Sequence, residues 1–117
     1  MAYDEYLGER ITRILKSKNT SFFEKKMMGG LVFMVNNKMC CGIHIDKKYG
    51  DSLLMAKVGE EAAKTELHKE EVLPMDFTGR PMKGFIFIIP DGFDMDSDLE
   101  YWVQKTLEYN EETYGKK

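Results

Sequence analysis

Between Tyr3 and Lys18 the apolar residues Tyr3, Leu7, Ile11, Ile14 and Leu15 recur at steps of three and four, with acids early and lysines late. That spacing gathers one apolar stripe on a helix and suits its dipole, so it predicts an amphipathic helix over 3–18. Gly8 costs about 1 kcal/mol against alanine there without disturbing the period. Asn19-Thr20-Ser21 is turn chemistry that ends the helix.

The period then shortens to two. Asn36-Asn37 lies between two runs rich in β-forming residues, and asparagine tolerates the positive φ that a tight hairpin turn demands. A two-residue loop there pairs Val35 with Lys38, Met34 with Met39, Phe33 with Cys40 and Val32 with Cys41. One face then carries Val32, Met34, Met39, Cys41, Ile43 and Ile45, and reads as core. The other carries Leu31, Phe33, Val35, Lys38, Cys40, His44 and Asp46, a mixed face expected to be partly covered.

Downstream, Lys47–Asp51 reads as a loop and Ser52–Val58 as a strand that sends Leu54, Ala56 and Val58 one way and Leu53, Met55 and Lys57 the other. Gly59-Glu60-Glu61 opens a short helix to about Lys69, with Ala62, Ala63 and Leu67 inward. Leu73–Thr78 and Gly84–Ile89 read as strands joined by Gly79–Lys83, and Pro90 ends the second. Ser97-Asp98-Leu99-Glu100 has the form of a capping box, launching a last helix whose stripe is Leu99, Trp102, Val103 and Leu107 and which stops near Gly115. The order, roughly α-β-β-β-α-β-β-α with no internal repeat or linker, predicts an α+β fold, an antiparallel sheet with packed helices, as a single domain over 1–117.

Composition narrows the function classes. A chain of 117 residues, 43% apolar and 32% charged, can form one ordinary globular core. The net charge is −3, the pI is near 5.4, and the basic residues cluster no further than short pairs such as Lys25-Lys26, which disfavours direct nucleic-acid binding. The longest apolar runs, Leu31–Val35 and Phe85–Ile89, are too short to span a bilayer. The acidic start, Met-Ala-Tyr-Asp-Glu-Tyr, has no apolar signal region, so a reducing cytoplasm is expected.

Four methionines and both cysteines fall within residues 27–41. In an extended strand Cys40 and Cys41 point to opposite faces, and Cys40 lies ~13 Å from His44 on its own face, too far for one ion. Met34, Met39 and Cys41 would suit monovalent copper, but methionine is also the ordinary filler of irregular cores, and neither a metal nor a cofactor is expected. Cys40, His44, Lys57 and Arg80 are the candidates for an alternative small-ligand or nucleophilic pocket, against the rival that free cysteines are commonly buried and inert. Asp94–Asp98 imitates the start of a calcium loop, yet Leu99 and Lys105 occupy its glycine and glutamate positions. Gly79-Arg80-Pro81-Met82-Lys83-Gly84 offers positive charge on a connection. Arg80 and Lys83 are candidates to grip an anion or an acidic partner, with Gly79 and Gly84 supplying unusual φ.

Several short motifs occur together: Lys26-Met27-Met28-Gly29-Gly30, Asn36-Asn37-Lys38-Met39, Pro74–Phe85 and Leu99-x-x-Trp102-Val103. In this order over about residues 5–110 the chain resembles the TfoX/Sxy N-terminal domain family. Met28 stands where that family commonly has phenylalanine. The resemblance implies a small α+β domain without catalytic residues. The family's named members are competence regulators that act with the cyclic-AMP receptor protein and carry a second, helical domain. The expectation is thus a non-enzymatic regulatory module working by protein–protein contact. Leu31, Phe33, Val35, Leu53 and Met55 are its candidate surface, for a transcription factor or a second copy of the chain.

Overall fold

The computed structural model describes residues 5–27, 30–46, 51–77 and 80–115. They form helix α1 (Glu5–Ser17), strands β1 (Phe23–Met27), β2 (Gly30–Val35), β3 (Lys38–Asp46) and β4 (Asp51–Lys57), and helix α2 (Glu60–Glu66). Strands β5 (Val72–Phe77) and β6 (Arg80–Ile88), one 3-10 turn (Pro90–Gly92) and helix α3 (Asp96–Tyr114) follow. All strand pairs are antiparallel, in the order β1-β2-β3-β4-β6-β5. The α+β architecture is as the periodicity predicts.

Strand β1 is an addition. Phe23, Glu24, Lys25 and Lys26 are all exposed at the edge of the sheet, so no alternation of apolar and polar residues marks them as a strand. β6 begins at Arg80, where the sequence suggested a connection as far as Lys83. Of the loop expected over Lys47–Asp51, residues 47–50 lie outside the described residues, as do 78–79, and Asp51 is already the first residue of β4.

Asn36 and Asn37 take φ of 54° and 62°, the left-handed pair that a two-residue hairpin needs. Val35 faces Lys38 and Met34 faces Met39, as expected. The ladder then slips. Phe33 faces Cys41 rather than Cys40, so Cys40 is the extra residue of a β-bulge, and Leu31 faces Ile43. A one-residue shift exchanges the faces of everything beyond it.

The predicted core face is consequently split: Cys41 and Ile43 are interior as expected, whereas Val32, Met34 and Met39 turn to the other side. Leu31, Phe33, Val35, Cys40, Cys41, Ile43, Leu54, Ala56, Ile86 and Ile88 are buried with Leu7, Ile11 and Leu15 of α1, Ala63 of α2, and Leu99, Trp102 and Val103 of α3. Val32, Met34 and Met39 belong to a second cluster with Leu53, Met55 and Phe87, to which none of the three α-helices contributes. The helices thus pack on one face. Arg10 fastens α1 to the start of α3, donating to the carbonyls of Phe93 at 2.8 Å and Asp94 at 3.1 Å and pairing with Asp96 at 3.3 Å. Trp102 Nε1 donates to the Gly92 carbonyl at 2.9 Å.

Two helix ends differ from expectation. The capping box does not form: α3 starts at Asp96 behind Met95, whose carbonyl accepts the Asp98 and Leu99 amides. In α2 it is Glu66, not Leu67, that turns inward; Leu67 is 39% exposed and Glu66 is 3% exposed. The buried carboxylate is satisfied by the Tyr101 hydroxyl at 2.6 Å and the Lys69 ammonium at 2.7 Å, as a buried charge requires. Burial works against ionisation, yet the bonds from Lys69 and Tyr101 outweigh it and hold Glu66 below the usual carboxylate range.

Two measurements check these contacts. Asn37 sits at left-handed φ, so Asn37→Ala should lower stability in urea denaturation by about 1 kcal/mol, whereas Asn37→Gly should leave it nearly unchanged. Because Glu66 titrates lower folded than unfolded, its contribution is complete above about pH 4.5 and is lost as pH falls through the folded value. Glu66→Gln should therefore flatten the acid limb of the stability–pH curve.

Candidate functional site

The bulge brings the two thiols to the same side. Cys40 and Cys41 are each 1% exposed within the helix-side core. Cys40 Sγ donates to Thr106 Oγ1 at 3.4 Å, and the Thr106 hydroxyl donates to the Val103 carbonyl at 2.7 Å. A hydrogen bond to Cys40, followed by burial, pushes the Cys41 thiol well above its ordinary range. The Cys41 contact draws Cys40 the other way, against burial, helped by Thr106 and the charge of Lys57. Both thiols are sealed under a packed helix, and in that position they act as core residues.

The other members of the alternative pocket do not gather into one site with the thiols. His44 lies on the opposite face, stacked on Phe87 with ring centroids 5.0 Å apart and planes at 3°. Lys57 closes β4 and donates to the Tyr114 hydroxyl at 2.6 Å, its ammonium 4.8 Å from the Tyr114 ring and 5.4 Å from the Phe85 ring. That bond lowers the Tyr114 phenol from its usual value. Arg80 is the first residue of β6, in register with Phe77. Cys40 and His44 were expected to share a face; the extra residue at Cys40 separates them, so the four do not make one pocket.

Of the expected anion-gripping connection, Gly79 lies outside the described residues, and Arg80 and Lys83 are strand residues of β6. Gly84, at φ +82°, has a backbone role. Its carbonyl accepts the amides of Val58 at 2.9 Å and Gly59 at 3.1 Å. This junction sets the start of α2, where Gly59 at φ +92° lies so close under Tyr109 that a Cβ would come within 2.6 Å of the ring.

The five residues proposed as an interaction surface divide between two faces. Leu31, Phe33 and Val35 are buried beneath the helices, whereas Leu53 and Met55 are on the other side of the sheet. The correction follows from the bulge and from the helices, which choose the Leu31–Phe33–Val35 face because Leu54, Ala56, Ile86 and Ile88 continue it across the sheet. What remains is the helix-free face. There Val32, Leu53, Met55 and Phe87 are surrounded by half-buried Met34, Met39, Leu73, Phe85 and Ile89. At its β1 end stands Phe23, opposite Met34 and 49% exposed. Sequence reasoning placed Met34 and Met39 in the core and gave Phe23 no role; the clustering of methionine near the hairpin was the available signal.

A separate cleft of about 640 Å³ opens between residues 18–21, the hairpin turn and α3. In its wall Asn110 accepts a hydrogen bond from Asn36 at 2.8 Å and donates to the Val35 carbonyl at 3.0 Å, so its amide secures the turn. Among the described residues no three of His, Cys, Asp and Glu gather as metal ligands, and no helix is long and apolar enough to cross a membrane.

A model of the TfoX N-terminal domain matches residues 17–109. No curated protein and no solved structure matches the chain.

The thiol geometry is directly measurable. Iodoacetamide at neutral pH should label Cys40 and Cys41 in the folded protein on the order of a hundredfold more slowly than in concentrated urea, because labelling must await local opening. Thr106→Val, which removes the Cys40 acceptor, should leave them still protected.

Proposed function

The chain belongs to the TfoX N-terminal domain family, and from that premise we propose that it is a non-enzymatic cytoplasmic regulatory module that works by binding another protein, with a transcription factor as the expected class of partner. The observation that carries this reading is the helix-free sheet face. Half-buried Met34, Met39, Leu73, Phe85 and Ile89 are its accessible apolar groups, packed over buried Val32, Leu53, Met55 and Phe87. Flexible, polarizable methionine side chains adapt to a partner's shape at little cost, and an apolar patch with a wetter rim is the usual form of a docking surface. Lys25 stands in register with Val32 at the β1 side and supplies a charged rim.

The acidic net charge supports a protein partner over bare nucleic acid. Regulation at a promoter, on this reading, comes through the partner's own contacts with DNA.

The test uses Met34→Glu/Met39→Glu. Both side chains are half-buried at the border, so the doubly substituted chain should keep its far-UV spectrum and a cooperative unfolding transition. Affinity capture from the native cytoplasm should recover a reproducible transcription-factor partner with the wild type and lose it with the variant. Equal recovery by both would remove this face from the proposal.

A further inference from the structure

Strand β1 is one margin of the sheet and β5 the other. The β5 margin contains Pro74, which has no amide to donate to an added strand. β1 contains no proline, Phe23 through Lys26 are exposed, and among the described residues nothing pairs with its outer side. Its register with β2 fixes the direction of each residue. Phe23 and Lys25 oppose Met34 and Val32 of the helix-free face, whereas Glu24 and Lys26 oppose Phe33 and Leu31 of the helix face. Glu24 accepts a hydrogen bond from Thr12 of α1 at 3.3 Å, consistent with that assignment.

We propose that the outer edge of β1 joins a second copy of this chain, antiparallel, with the two-fold axis at Lys25. The argument is one of parity and charge. When two identical edges pair about a two-fold perpendicular to the sheet, facing residues project to the same side, so the axis must pass through a residue of the strand. An axis at Glu24 sets two carboxylates face to face and Phe23 against Lys25. An axis at Lys26 sets two ammoniums face to face with no facing carboxylate from Glu24 within the strand. An axis at Lys25 places Glu24 of each copy opposite Lys26 of the other, giving two complementary pairs on the helix side. It also sets Phe23 in register with Met27 of the second copy. The cost is one Lys25–Lys25 encounter, where long stems can diverge into water on the helix-free side.

Edge lysines ordinarily ward off strand addition. Here Glu24 converts that defence into selection of a single register. The joined sheets extend the helix-free face of one copy into that of the other. The inference does not rest on the docking reading above, since it uses the backbone edge and not the Met34–Met39 surface.

Sedimentation of the full chain from micromolar to submillimolar concentration is the test. The wild type should show a monomer–dimer equilibrium that weakens with added salt. Glu24→Lys and Lys26→Glu should each weaken it by about tenfold or more, and the double exchange E24K/K26E should restore it, because the two charges merely trade places. Mixing the two single variants gives a second reading. One offers only ammoniums and the other only carboxylates at the facing positions, so they should associate with each other more tightly than either does with itself. Circular dichroism of each variant checks the fold, and Lys26→Glu and the double exchange keep the test open if loss of the Thr12 bond unfolds Glu24→Lys. A monomer throughout the range, a dimer indifferent to the single changes, or no recovery in the double exchange would overturn the proposal. Met34→Glu/Met39→Glu should leave the dimer intact, which separates failure of this edge from failure of the docking face.

Discussion

One extra residue in β3 determines which side of this sheet is interior. With a regular ladder beyond Met34 and Met39, Gly42 and His44 would turn toward α1 and α3, and Ile43 would turn away. A glycine and an imidazole would then occupy the seat beneath the helices. The bulge at Cys40 brings Cys41 opposite Phe33 and Ile43 opposite Leu31, so β2 and β3 present one apolar surface. β4 and β6 extend it with Leu54, Ala56, Ile86 and Ile88. The small, soft cysteine side chains fit a place where two consecutive residues must share one side.

The helices are then positioned by a few polar contacts set into apolar packing. Arg10 holds α1 to the turn before α3, Trp102 reads the Gly92 carbonyl, Thr106 meets Cys40 over the bulge, and Asn110 bonds both Val35 and Asn36 at the hairpin turn. Along α3 these last three residues touch successive parts of the sheet and its approach. Nonpolar burial supplies the bulk of the attraction, and the directional bonds fix where along the sheet the helix rests.

Periodicity revealed what is regular. The stripes of α1 and α3, the alternation in β4 and the Asn36-Asn37 turn are all carried by local spacing, and each is present in the structure. The bulge has no such marker: Met39-Cys40-Cys41-Gly42 is consistent with either register, and only the demand for a continuous helix-side surface decides between them. That one ambiguity put Val32, Met34 and Met39 on the same face as Cys41 and Ile43, and placed Leu31, Phe33 and Val35 on the same surface as Leu53 and Met55. It also put Cys40 beside His44. β1 escaped notice because an exposed strand needs no alternation. Glu66 did so because a carboxylate is ordinarily expected in water until its partners, Tyr101 and Lys69, are brought near by tertiary structure.

The Arg10 bonds link residues separated by 83, 84 and 86 positions in the chain. During synthesis, α1 leaves the ribosome well ahead of α3, and the Arg10 bonds cannot close until Phe93, Asp94 and Asp96 have followed it. Contacts of such long range are slow to close and reward the chain only at the end. Until then the side of the first helix that meets α3 lacks its cover, an interval in which a nascent-chain chaperone has a natural substrate.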